Sequence, residues 1–176
     1  GVRFANAYVT SPMCVPSRTS LLTGLMDRTT LGSGRTVASE FLRAAYPTLL
    51  RQAGYHTGYV GKWHVKCSES DRTAMFDSFQ KTSRHPYEKK MPDGSVRHLT
   101  DIEGDLAIEF LRMRPRDKPF CLSVGFNAPH AEDGDKQNQF HWAEAENGLY
   151  EDIAIPPAPL SRSEERRVGK ECTIQC

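Results

Sequence analysis

Net charge, long apolar runs and ordered cysteine spacing are all scarce in this chain of 176 residues. With 23 Lys+Arg against 22 Asp+Glu the formal net charge is +1. That balance gives no electrostatic reason to expect a nucleic acid or an anionic membrane as partner. No apolar run approaches the ~18 residues that a transmembrane helix needs, and no signal-like segment follows Gly1. Leu, Ile, Val and Phe together number 35 of the 176 residues. That is low for a globular core, but so small a net charge argues against intrinsic disorder. The five cysteines (Cys14, Cys67, Cys121, Cys172 and Cys176) contain no CxxC pair and no metal-finger spacing, and their odd number speaks against a disulfide framework. Composition therefore leaves the compartment open. The length suits one domain of roughly 100–200 residues or part of a larger one. Opening on Gly1 in a strand-like stretch, without Met, the chain reads as a fragment.

What is present alternates between strand-like and helix-like segments, which favours an α/β fold. Residues 2–9 carry apolar side chains at period two and are expected to run extended. From Cys14 a short helix follows, with Pro16 in its first turn and Gly24 as its stop. A second is expected over Thr48–Ala53, ended by Gly54, with Leu49 and Leu50 facing inward. Tyr55–Trp63 reads as a strand rich in aromatic and β-branched residues. Residues 66–98 are polar and carry Pro86 and Pro92-Asp93-Gly94, so they are expected to form irregular loop. Thr100-Asp101-Ile102-Glu103 has the form of a capping box. It would open a helix running to about Met113, with Ile102, Leu106, Phe110 and Met113 on one stripe. Pro119–Phe126 has the pattern of a buried strand, and 131–160 reads as irregular. Residues 161–176 differ from everything before them: seven of the sixteen are charged and no period is visible. They resemble a non-native read-through tail, so the expected organisation is one partial domain over 1–160 and a tail over 161–176.

The segment with the clearest chemistry is Cys14-Val15-Pro16-Ser17-Arg18. A helix N-terminus presents free N–H groups and partial positive charge to an oxyanion, and Arg18 adds a fork of donors suited to sulfate or phosphate. A small buried cysteine on a helix shoulder is the plain alternative. A thiol-phosphatase loop does not fit, because it spaces Cys and Arg by five residues where this chain has three, one of them proline. Two further pieces stand out. In Gly61-Lys62-Trp63-His64, Lys62 and His64 lie two apart on the expected strand and would project from one face while Trp63 packs in the core; the plain alternative is a solvated strand edge. In Phe126-Asn127-Ala128-Pro129-His130, Pro129 would present His130 just past a strand end, where ligands bind in open α/β sheets. His56, His85, His98 and His141 have no motif around them and read as ordinary surface or loop residues.

The string from Ser11 to Gly24, Ser-Pro-Met-Cys-Val-Pro-Ser-Arg-Thr-Ser-Leu-Leu-Thr-Gly, resembles the signature of the type I, formylglycine-dependent sulfatases. Gly61-Lys62-Trp63-His64 and the element ending in His130 resemble two more of that family's motifs, in the family's order. The chain departs from the pattern after His130: many relatives read Pro-His-x-Pro, whereas this chain reads Pro129-His130-Ala131-Glu132.

The resemblance implies an alkaline-phosphatase-like α/β sandwich, with a mainly parallel sheet flanked by helices and incomplete in this chain. It implies sulfate ester hydrolysis, on a sulfated glycan or an aryl sulfate, with Cys14 oxidised to formylglycine by a maturation enzyme. The aldehyde hydrate has two hydroxyls: one attacks sulfur, and the other loses its proton to expel sulfate. Arg18 and Lys62 would neutralise charge on the sulfuryl oxygens. His64 would be the base of the elimination, and His130 would contact sulfate and protonate the leaving oxygen. The family also holds Ca2+, with position 14 as one ligand source and the others outside these residues, so the chain alone is expected to be inactive and marginally stable. A periplasmic or secreted parent is expected. Two alternatives remain at this level: a phosphonate monoester hydrolase or phosphodiesterase of the same superfamily, and a non-catalytic fragment.

Overall fold

The computed structural model describes residues 1, 3–31, 36–154 and 156. Residues 1–143 form one compact unit, and a second begins at Glu144. The second unit carries a single 3-10 turn, Glu144–Glu146, among its described residues. Residues 161–176, expected to be a tail, lie outside the described residues.

The first unit is α/β. Helix α1 spans Cys14–Thr23, and Gly24 ends it in the left-handed region (φ 73°), with its N–H donating to Ser20 O. Pro16 sits in the first turn, where its missing N–H costs no helical bond. Short helices α2 (Asp27–Thr30), α3 (Ser39–Arg43) and α4 (Tyr46–Gln52) follow. Strand β1 (His56–Gly61) leads through α5 (Glu69–Met75) to β2 (Ser78–Lys81). A small antiparallel pair, β3 (Glu88–Lys90) and β4 (Val96–His98), precedes the long helix α6 (Leu99–Met113), which returns the chain to β5 (Phe120–Gly125).

The main sheet has the order β2-β1-β5 and is parallel throughout. Tyr59, Trp63, Phe76 and Phe79 form an aromatic cluster on one of its faces, with ring centroids 4.9–5.8 Å apart. Leu22, Val37, Leu42, Ala45, Val65 and Met75 pack with it in the core. At such separations the rings add edge and stacking attraction to the burial of their area.

Several expectations need correction. Residues 3–9 make no strand, and Phe4, Tyr8 and Val9 are exposed. A strand exists through its partner, and no described strand pairs with this segment. Helix α4 starts two residues earlier than expected and buries Pro47 and Thr48, while Leu49 is 51% exposed. The polar stretch 66–98 is not loop: it supplies α5, β2, β3 and β4. Its short elements are held by tertiary pairing, which composition does not record. The capping box does not form. His98 is the N-cap, its ring accepting from Thr100 N–H, while buried Thr100 Oγ1 finds no partner among the described residues. On α6 Phe110 is buried as expected, but Met113 is exposed. Strand β5 is half-buried, not fully buried, along most of its length.

Two facing glycines let β1 and β5 converge. Gly61 (φ +106°) and Gly125 are register partners, and a Cβ on Gly61 would stand 2.3 Å from Gly125 O. Gly61→Ala is therefore expected to cost at least ~2 kcal/mol, combining left-handed strain with a backbone clash. Thermal unfolding of the variant beside the parent measures it, and an unchanged midpoint would contradict this account.

Candidate active site

In a parallel sheet every strand delivers its C-terminal residue to the same edge. Just past that edge lie Lys62–His64 after β1, Thr82–Arg84 after β2 and Phe126–His130 after β5. Cys14 opens α1 and Arg18 stands one turn further along, so both lie on one helical face.

Arg18 joins helix to sheet. Its Nη1 donates to Lys62 O at 2.6 Å and to the Tyr59 hydroxyl at 3.0 Å, and the Tyr59 hydroxyl also donates to Lys62 O. Burial pushes the Tyr59 phenol above its ordinary pKa, so it remains a neutral donor. Gly125 makes room for this contact: a Cβ there would meet Tyr59 Oη at 2.6 Å and Arg18 Nη1 at 2.8 Å. Lys62 N–H donates to Gly125 O, which locks the residue to the end of β5.

Lys62 and His64 do not sit on the strand face where they were expected. Strand β1 ends at Gly61, Lys62 is only 4% exposed, and His64 adopts φ 53° on the exposed side. A tight left-handed turn, not strand alternation, sets the two side chains, while Trp63 packs in the core as expected. His64 has its pKa lowered to about 4, first by burial and then by the charges of Lys62, Arg18, Arg84 and Lys81. Positive charge from four different residues thus bears on His64 and favours its neutral form.

His130 follows a cis Ala128–Pro129 peptide. Its N–H donates to Asn127 O, its carbonyl accepts from the Tyr87 hydroxyl at 2.7 Å, and its Nδ1 lies 3.0 Å from Ala131 O. Arg84 provides the link to the other residues, donating from Nε to Ala131 O at 2.9 Å while its charge acts on His64. The structure thus bonds Arg18 to the Lys62 backbone, brings His64 within the field of Lys62, Arg18 and Arg84, carries Cys14 on the same helix as Arg18, and ties Arg84 to the residue after His130.

Three residues of this edge escape sequence reasoning. Glu103 is fully buried: it accepts from Asn127 N–H at 3.3 Å, from Asn127 Nδ2 at 2.6 Å and from the Thr82 hydroxyl at 2.5 Å. It faces inward at the position where a capping box would place it on its own helix end. Arg84 and Glu132 are buried charges whose partners are distant in sequence, so no local pattern announces them. Of the histidines expected to be ordinary surface or loop residues, His98 is instead buried and stacks on Tyr87 at 5.4 Å and His56 stacks on Phe110 at 5.2 Å, while His85 is an exposed loop residue that pairs with Glu132.

A cavity of about 150 Å³ lies on the Arg18 side, against Leu22, Tyr46, Trp63 and Ser123. Neither Cys14 nor His64 lines it, and its walls are mostly apolar. Among the described residues no group of three or more His, Cys, Asp or Glu side chains could hold a metal ion. Ca2+ takes 6–8 oxygen ligands, and position 14 alone does not meet that demand.

A family model described as Sulfatase matches residues 1–151. The chain belongs to the sulfatase family. This sulfatase is 31% identical over 143 residues to the N-acetylglucosamine-6-O-sulfatase of Bacteroides thetaiotaomicron, a match covering 74% of this chain and 24% of that protein. It is 30% identical over 153 residues to an extracellular sulfatase SULF-1 homolog of Drosophila melanogaster, covering 74% of this chain and 14% of that one. The structure of BT4656 in complex with its substrate D-glucosamine-2-N,6-O-disulfate matches with a TM-score of 0.66 and 29% identity, covering 90% of this chain and 32% of that chain. The sulfatase chain thus spans about a quarter of the Bacteroides relative and about a third of BT4656. No helix among its described residues is long and apolar enough to cross a membrane.

Proposed function

We propose that this sulfatase hydrolyses sulfate esters of glycans, with position 14 acting as formylglycine. The observation that carries the reading is the bond from Arg18, one turn after Cys14, to the carbonyl of Lys62, two residues before a neutral His64. The N-acetylglucosamine-6-O-sulfatase relative and the disulfated glucosamine bound by BT4656 favour a sulfated amino sugar over an aryl sulfate. Cys14 is an unpaired, half-buried thiol at a helix start, open to a maturation enzyme. Once converted, it supplies a hydrated aldehyde with a nucleophilic hydroxyl. The Lys62 ammonium and the Arg18 guanidinium lower the energy of negative charge growing on the sulfuryl oxygens. His64 accepts a proton at neutral pH, and His130 faces the sulfate and the leaving oxygen. No step is assigned to Ca2+, for which these residues do not provide a shell. With no such shell among the described residues, the chain alone is expected to be inactive. Export to the periplasm or the exterior fits a glycan substrate.

The test begins with the protein expressed from its complete reading frame together with a formylglycine-generating enzyme. Mass spectrometry of the peptide spanning residues 11–24 is expected to show aldehyde in place of thiol, and glucosamine-6-sulfate is expected to release sulfate. Persistent cysteine, or preferential cleavage of a phosphonate monoester, would overturn the reading.

The pH profile carries its own prediction. His64 must be neutral to act as a base, so kcat/KM should fall on the acid side through about 4 and not through the ordinary 6.5. Stability follows the same sign. The unfolded chain protonates His64 first, so this contribution is complete above pH 6.5 and is lost as the pH falls towards about 4. An acid limb at 6.5 that disappears in His64→Gln would contradict the depressed value.

A further inference from the structure

We infer that Glu132 and Tyr87 are positioning residues for His130, forming a carboxylate clasp that sets the orientation of its imidazole. The inference rests on the sulfate-contact role given to His130 above. Glu132 stands where the family pattern places a proline, so this loop needs another source of rigidity. Glu132 is almost wholly buried. One of its carboxylate oxygens meets His85 Nδ1, and the other accepts from Tyr87 N–H at 3.0 Å. The Tyr87 ring is buried and stacked on His98, and its hydroxyl donates to His130 O at 2.7 Å. Arg84, in contact with Asp133, donates to the Ala131 carbonyl that faces His130 Nδ1.

The chemistry follows from that last contact. A carbonyl pinned by Arg84 accepts from Nδ1–H, which selects one tautomer and leaves Nε2 for the substrate side. Glu132 holds the segment that carries this carbonyl, because its side chain fixes Tyr87 and its own backbone follows Ala131 directly. Without the carboxylate, Tyr87 N–H is buried without an acceptor and the loop is free to shift. A shift of about 1 Å at a group that meets the substrate costs up to ~100-fold in rate.

The experiment uses the mature protein from its complete reading frame and two readouts. The first is kcat/KM for sulfate release in Glu132→Ala, His130→Ala and the double variant, with thermal unfolding as a check of folding. Glu132→Ala is expected to lose about 10- to 100-fold, and the double variant to lose no more than His130→Ala alone. Glu132→Gln, which keeps an acceptor for Tyr87 N–H, should recover most of the activity. The second readout is the long-range 1H–15N spectrum of the His130 ring, which does not depend on turnover. The Nδ1–H tautomer is expected in the parent and in Glu132→Gln, with a mixture in Glu132→Ala.

Where Glu132→Ala does not fold, Tyr87→Phe decides, since it removes one hydroxyl and keeps the stacked ring. Its ring spectrum is expected to change and its loss to vanish in the His130→Ala background. An unchanged His130 spectrum in both variants, or losses that multiply with His130→Ala, would overturn the clasp. Full activity in His130→Ala would instead overturn the role given to His130, leaving the tautomer spectrum to judge the clasp separately.

Discussion

Cys14→Ala is expected to lower sulfate-ester turnover by ~10⁴-fold or more, the scale on which loss of a nucleophile acts, while the protein stays folded. The side chain is half-buried at the first position of α1, and the side-chain bonds described from α1 to the sheet come from Arg18. Alanine is the best helix former, so the stability change should stay within about 1 kcal/mol. Activity and fold are therefore separable at this position. The contrast is Arg18→Ala, which removes the donors to both Tyr59 and Lys62 O and should disturb the two together. Sulfate release and the unfolding midpoint measured on the same preparation distinguish the cases. Cys14→Ala with parental turnover would mean that the nucleophile lies elsewhere.

Glu103→Ala should produce the largest loss of stability, on the order of 3 kcal/mol, because it strands several buried donors at once. Glu103 is fully buried and joins three elements: α6 on which it sits, Thr82 just after β2, and Asn127 just after β5. Its removal leaves Asn127 N–H without an acceptor and loosens the start of the segment that ends in His130. Asn127 Nδ2 keeps its 2.9 Å bond to the Thr82 hydroxyl, so the network is weakened and not abolished. Glu103→Gln preserves shape but directs an amide N–H at groups that are themselves donors, and an intermediate loss is expected. Denaturant unfolding of the two variants checks the order, and a Glu103→Ala protein as stable as the parent would show that water replaces the carboxylate freely.

What could be read directly from the residues was local. The N-terminal proline and C-terminal glycine of α1, the apolar run of β5 and the aromatic strand β1 are each specified within a few positions by backbone preference. The catalytic candidates were legible for a related reason: Cys14-Val15-Pro16-Ser17-Arg18 and Gly61-Lys62-Trp63-His64 are contiguous, so their pattern survives without knowledge of the fold. Residues 66–98 were misjudged because β2, β3 and β4 are polar and three or four residues long. Such strands exist through their partners, and pairing is a long-range property. The capping box misled in a similar way, since Thr100 and Glu103 have the right spacing but Glu103 is recruited by Asn127 and Thr82.

Sequence alone thus determined the fold class and offered Cys14, Arg18, Lys62, His64 and His130 as candidates for the site. The tertiary structure decided how those groups are placed. It set Lys62 and His64 by a left-handed turn beyond the strand, brought Arg84 from a polar stretch to the His64 field, and placed Glu132 and Tyr87 behind His130. The last two share a physical reason. A buried charge is tolerable where partners satisfy it, and here the partners lie more than forty residues apart along the chain, as Arg84 and Ala131, Tyr87 and Glu132 do. No local pattern encodes such a pairing, and only the converging strand ends bring it about.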